Sequence, residues 1–304
     1  MKSISAYFAQ NLRVDSSWYW EIQYSVGQII PELEIEMMPV KPLIPLTIAI
    51  LWGFSFWAVA QVDHSPWDEL LERHVKVLRD GQASQLDYAG VLRESEQLTR
   101  YLGQLSAVDR GDFDAWSLED QLAFLINAYN AWTVELVLQQ EPGLSSIRDV
   151  GLLPKAAWRR KFVNLFGEQI SLDEIEHGMI RGWDRYYEPR IHFALNCAAI
   201  GCPALRNEAY IGPRLEQQLE EATQRFLSDR TRNYPGADRL YLSPIFDWYR
   251  EDFEESGSES HTILDFLAHY SEQLGLSRNE VYRLGAGSRG IRYTDYDWGL
   301  NRVP

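Results

Sequence analysis

One stretch limits the architecture more than any other: Leu122-Ala123-Phe124-Leu125-Ile126-Asn127-Ala128-Tyr129-Asn130-Ala131-Trp132. It lies inside a helix opened by Ser117-Leu118-Glu119-Asp120, a capping-box pattern with Asp where Glu is usual. The helix runs to about Gln139 and is stopped by Glu141-Pro142-Gly143. Its middle is apolar on every side, so it is buried all round and the rest of the chain must be laid about it. Asn127 and Asn130 share one of its faces. A buried amide without partners costs about 1–3 kcal/mol, so each is tied to neighbouring backbone or meets a ligand.

The remaining elements are shorter. From Trp67 to Leu78 apolar residues recur at three- and four-residue steps, which predicts a helix ended by Asp80-Gly81. Gln85 to Tyr88 is a short extended piece, Val91 to Leu105 a second helix, and Asp109 to Ala115 a polar turn. Phe162 to Phe166 and Gln169-Ile170 flank Gly167 as a β-hairpin. Ser171-Leu172-Asp173-Glu174 is a full capping box, starting a helix that carries Glu176 and His177 and ends near Gly182. Ile191 to Leu195 reads as the central strand and Pro213 to Leu227 as an amphipathic helix. Arg239 to Leu242 reads as a strand, and Phe246 to Phe253 as a short aromatic and acidic helix. Thr262 caps a further helix, and Ile291 to Trp298 alternates as a strand does. Helices outweigh scattered strands, so the expected fold is α+β: a mostly helical single domain around a small antiparallel sheet.

With 45% hydrophobic and 13% aromatic residues in 304, the chain can bury a sizeable core. A formal charge of -15 and a pI near 4.9 argue against a nucleic-acid partner, which needs a basic face. Lys41 precedes an apolar run, Leu43 to Ala60, that ends in Ala58-Val59-Ala60. A basic flank, an apolar stretch and an A-x-A exit describe a secretory signal peptide. The run of about 18 residues is also long enough for an uncleaved membrane anchor. Residues 1–36 lack a basic leader character, and Met37 or Met38 is the expected start. Residues 61–304 are then the globular domain of an exported protein, periplasmic or anchored facing the periplasm. It meets a membrane only through residues 43–60.

Reactive side chains concentrate in Arg190-Ile191-His192-Phe193-Ala194-Leu195-Asn196-Cys197-Ala198-Ala199-Ile200-Gly201-Cys202-Pro203, which holds both cysteines. A tight turn at Gly201 brings Cys197 and Cys202 to bridging distance, and export favours a disulfide. Alternatively Cys197 is a nucleophile: Asn196 is a good N-cap residue, and a helix turn starting there would lower the thiol pKa. Its base would be His192 or His177, with Glu176 orienting the base. On one continuous strand His192 and Cys197 face opposite sides, so they meet only if the strand ends before Cys197. A zinc site of His192, Cys197 and Cys202, with His177 as a distant fourth ligand, is the remaining alternative; no other cofactor is expected. Glu176, Asp247, Asp252 and Asp297 lie near aromatic residues, as glycosidase carboxylates do, but an acidic surface accounts for them more simply. His64, His74, His261 and His269 are expected on solvated faces.

Several of these segments together resemble a family. Leu125 to Ala131, Ser171 to His177, and Arg190 to Cys197 with Gly201-Cys202-Pro203 are similar to the bacterial and plant family called domain of unknown function 547. The likeness covers about Leu122 to Phe253, and Tyr296-Asp297-Trp298-Gly299-Leu300-Asn301 looks like the family's tail. It implies that Asn127, Asn130, Glu176, His177, His192, Asn196, Cys197, Cys202 and Ser243 occupy family motif positions, without saying which react. Asn127, Asn130, Asn196 and Ser243 are the candidate substrate-binding residues. A buried helix beside a His-bearing strand is also loosely similar to papain and transglutaminase-type enzymes. Those carry their cysteine on the helix, whereas this helix has Asn127 and Asn130 and no Cys. Two function classes follow. One is a cysteine-dependent hydrolase or acyl transferase of the cell envelope. The other is a non-catalytic envelope protein with a Cys197–Cys202 staple, binding a small-molecule or peptide ligand.

Overall fold

The structure, a computed structural model, describes residues 61–151, 155–254 and 262–304. The expected leader and signal, residues 1–60, lie outside the described residues, as does His261. Helix α1 (Ser65–His74) is opened by Pro66 and stops four residues before the predicted end. Val75 and Leu78 belong instead to β1 (Val75–Leu78), because the β-branched Val75 and Val77 favour extended backbone. β1 pairs antiparallel with β2 (Ala83–Leu86) across a left-handed turn at Asp80-Gly81. The second predicted helix is two, α2 (Tyr88–Arg93), capped by Asp87, and α3 (Ser95–Ser106), parted at Glu94. The predicted turn at 109–115 contains α4 (Arg110–Asp114), capped by Asp109.

Helix α5 (Leu118–Leu138) forms as expected, with Asp120 N–H donating to Ser117 Oγ at 3.1 Å. Every residue from Gln121 to Val134 is buried. Its sides are covered by Leu70, Tyr101, Leu105, Phe113, Val163 and Leu172 among others, in one hydrophobic core. After α6 (Ala156–Arg159), β3 (Val163–Leu165) and β4 (Glu168–Ile170) make the predicted hairpin about Phe166-Gly167, both at positive φ. The Ser171 capping box also forms. Glu174 N–H donates to Ser171 Oγ, and Ser171 N–H to the Glu174 carboxylate. What it starts is a π-helix, Glu174–Ile180, not the α-helix that the pattern predicts.

The largest departure is at the expected central strand. Residues Pro189–Phe193 form a 3-10 helix, because Pro189 presets its first turn and Glu188 caps it by accepting Arg190 N–H. The apolar run that imitates a strand serves two cores. Ile191 packs with α5, while Phe193 joins Phe226, Phe246 and Phe253 in a second cluster.

That second cluster is built from α7 (Leu215–Ser228), β6 (Arg239–Leu242), α8 (Ile245–Trp248), α9 (Arg250–Glu254), α10 (Ile263–His269), α11 (Arg278–Gly285) and β7 (Gly290–Tyr293), with β5 (Tyr234–Pro235) outside it. Tyr249 divides the predicted 246–253 helix into α8 and α9. β6 takes β5 antiparallel on one edge and β7 parallel on the other. The fold is therefore mostly helical α+β, with three small sheets among the described residues and α5 buried in the larger core. Beyond Tyr293 the chain leaves the sheet, and its end bridges to Ala199 through Leu300 and to Leu86 through Arg302. No helix among the described residues is long and apolar enough to cross a membrane. His269 is exposed as expected, but His64 and His74 are not free in solvent: His64 bonds Tyr101 and His74 bonds Glu94.

Candidate functional site

The site is assembled from α5 outward. Asn130 Nδ2 donates to Ala194 O at 3.0 Å, and Asn130 Oδ1 accepts Asn196 N–H at 2.8 Å. One amide thus clamps the chain as it leaves the 3-10 helix. Asn127 makes the same paired contact with the backbone of Tyr210, at 2.7 and 3.0 Å. Asn196 Nδ2 donates to Pro203 O, while its Oδ1 accepts Ala198 N–H and Asn301 Nδ2. Ser243 N–H donates to Asn233, and its hydroxyl accepts Ile245 N–H to start α8. These four candidate substrate-binding residues lie buried, and their polar atoms hold backbone.

The Asn196–Ala198 contact is an Asx turn, and Ala198 sits at φ 63. No helix starts there, so the expected helix-terminus activation of Cys197 is absent. Cys197 and Cys202 are joined as a disulfide with Cα atoms 6.0 Å apart. The turn between them is crowded: a Cβ on Gly201 would lie 2.8 Å from the Tyr296 ring. Only glycine lets that ring close over the bond.

The disulfide forms part of the wall of a cleft of about 530 Å³. Trp158, Trp248, Tyr296 and Trp298 give it aromatic sides, and Glu176, His177, Arg181 and His192 supply its polar groups. Because the strand is absent, His192 and Cys197 reach the same cleft. The π-helix brings the other polar groups together. Its five-residue hydrogen bond, Arg181 N–H to Glu176 O at 3.1 Å, places Arg181 one wide turn beyond Glu176. Arg181 Nη1 donates to His177 Nδ1 at 2.8 Å, and the guanidinium makes a two-pronged contact with Asp252, at 2.6 and 2.9 Å.

His192 Nε2 stands 2.5 Å from Asp252 Oδ2. An ionised carboxylate only accepts, so Nε2 carries the hydrogen and Nδ1 a lone pair in the neutral ring. Burial holds His192 below its ordinary pKa, with the hydrogen bond to Asp252 opposing. Burial alone would raise Asp252, but hydrogen bonds from His192 and Arg181 outweigh it and bring the carboxyl down to about 2. Tyr249 stacks on His192 with ring centres 3.9 Å apart. Burial first, then the charge of the buried Glu176 carboxylate, pushes the Tyr249 and Tyr129 phenols up.

Cys197, His192, His177 and Glu176 therefore share one cleft. The zinc set is not assembled, because the two sulfurs are bonded to each other and His192 Nε2 is given to Asp252. Among the described residues no group of three or more His, Cys, Asp or Glu side chains is placed to hold a metal ion. Of the carboxylates, Asp252 and Glu176 belong to the site, Asp247 is exposed, and Asp297 accepts Gly299 N–H. Sequence reasoning did not find Arg181, Tyr129, Tyr249 or the tryptophan walls. Arg181 was detectable four residues after His177, a spacing at which helical side chains meet.

An aromatic-walled cleft, closed on one side by a disulfide and backed by a carboxylate–histidine–arginine network, defines this mostly helical α+β domain. The family described as "Protein of unknown function, DUF547" matches residues 113–227 of the chain. The match includes both cysteines, Glu176, His177 and His192, whereas Asp252, Tyr296 and Trp298 lie beyond it. No curated protein and no solved structure matches the chain.

Proposed function

We propose that the chain is an exported ligand-binding protein of the cell envelope, with the aromatic cleft as its binding site for a small molecule or peptide. One observation carries the reading: the two sulfurs are bonded to each other on the cleft wall, so Cys197 offers no free thiolate. A disulfide is at home in an oxidising compartment, which supports export through the residues 37–60 signal or anchor. The ligand meets aromatic faces at Trp248 and Trp298, stacked 5.8 Å apart, and a buried acceptor in Glu176. A planar or apolar body with a hydrogen-bond donor fits both.

The test is tryptophan fluorescence of the oxidised protein titrated with a panel of short peptides and aromatic amines. Binding that weakens about tenfold in Glu176→Gln, the size of one hydrogen bond to a charged group, is expected. No response to any member, or equal response of Glu176→Gln and Trp248→Ala, would overturn the reading. The second reading, a cysteine-dependent hydrolase or acyl transferase, draws support from the Asp252-bound His192 in the cleft that Cys197 also lines. It requires activity that appears only after reduction.

A further inference from the structure

We propose that the Cys197–Cys202 bond exchanges with thiols, with attack on Cys197 and Cys202 leaving, and that thiol-bearing peptides held in the cleft are its substrates. The proposal rests on the binding reading for how a peptide is held, and goes beyond it in assigning a reaction.

Three observations carry it. The two cysteines are unequal in access: both line the cleft, but Cys197 is partly exposed, whereas Cys202 is buried at 3%. They are also unequal in what faces them. Cys202 Sγ receives the backbone N–H of Cys197 at 3.0 Å and the Tyr296 hydroxyl at 3.2 Å, while Cys197 Sγ has the same hydroxyl at 3.4 Å. Two donors on one sulfur stabilise negative charge there, which is what a leaving thiolate needs. Finally, the turn does not depend on the bond. The Arg232 guanidinium binds the carbonyl oxygens of Ile200, Gly201 and Cys202 at 3.3, 2.9 and 2.7 Å. Ile200 and Gly201 N–H donate to Gly299 O and Asp297 O, both at 2.8 Å. Asn196 ties the turn to Pro203 and Asn301. Opening the disulfide leaves these contacts standing, so the two sulfurs stay beside each other and the bond can re-form.

A peptide thiolate attacks Cys197 Sγ, the Sγ–Sγ bond breaks, and its electron pair goes to Cys202 Sγ as a thiolate. The product is a mixed disulfide between the peptide and Cys197. A second thiolate of the same peptide attacks the peptide sulfur and releases Cys197 as a thiolate. The peptide dithiol has lost two electrons and become a disulfide, and the protein disulfide has gained them. A further turnover consumes a low-molecular-weight disulfide such as oxidised glutathione.

The experiment uses the full chain and glutathione as probe. Oxidised protein is treated with reduced glutathione, quenched with acid and mapped by mass spectrometry. Glutathione is expected on Cys197, at least about tenfold over Cys202, since access and leaving-group stabilisation favour the same sulfur. Equal labelling, labelling at Cys202, or a bond that opens only in denaturant would overturn the proposal. Tyr296→Phe removes one donor from the leaving thiolate and is expected to slow opening about tenfold; an unchanged rate in a folded variant counts against the assignment of Tyr296. Glutathione need not bind the tryptophan faces, so the two readings fail separately. If exchange fails while the fluorescence titration reports peptide binding, this proposal falls and the binding reading stands.

Discussion

Asp252 shows how much one residue can carry. It accepts from His192 on one oxygen and from Arg181 on both, and its carboxyl is held down at about 2 against an ordinary value of 3.8. A depressed carboxyl adds stability above its unfolded pKa and loses it as pH falls through the folded one. The share of folding stability due to Asp252 is therefore complete above about pH 4 and disappears toward about pH 2. The expected outcome is that the stability gap between wild type and Asp252→Asn is constant at neutral pH and narrows over that window. Urea melts at stepped pH measure it, and a gap unaltered down to pH 2 would show that the pair is not ionic. Asp252 itself was visible in the sequence only as one acid among many. What distinguishes it is a histidine sixty residues away, and nothing local marks that meeting.

At the scale of elements, the cap on the π-helix has the clearest consequence. Glu174 closes the Ser171 box and also meets Lys161 at 3.0 Å. Glu174→Ala is expected to cost about 0.5–2 kcal/mol of stability, the usual range for a lost helix cap. Faster hydrogen exchange should be confined to residues 175–181, where Glu176, His177 and Arg181 are held. Uniformly faster exchange would mean that the helix has no independent stability. The elements also show what the sequence could disclose. Helix α5 was legible because capping, length and all-round apolarity agree. The Ser171 start was legible, yet the π-helix was not, since Ile175, Met179 and Ile180 suit an α- or a π-turn equally. The 191–195 run was misread because Ile191 and Phe193 serve two cores that only the folded chain defines. Cysteine and histidine placement pointed to the right cleft; its aromatic walls come from segments too distant for any local pattern.

For the molecule as a whole, the last residues return to β2, the start of α2 and the segment after α5. Asn301 O accepts Leu86 N–H, Asn301 Oδ1 accepts the Tyr88 hydroxyl at 2.7 Å, and Arg302 binds Glu141 and Leu144 O. Asn301→Ala is expected to cost about 1–3 kcal/mol by stranding buried partners. Thermal melts of Asn301→Ala, Tyr88→Phe and the double variant should show non-additivity, because the two side chains share one bond. Strict additivity would mean that they act separately. The same joining has a bearing on biosynthesis. Tyr296, which touches both sulfurs, is made 99 residues after Cys197. Because domains fold as units while they are made, a nascent chain can already hold both cysteines and α5 and still lack the far wall of the cleft. The bond between the cysteines can thus form before the groove that shelters it exists.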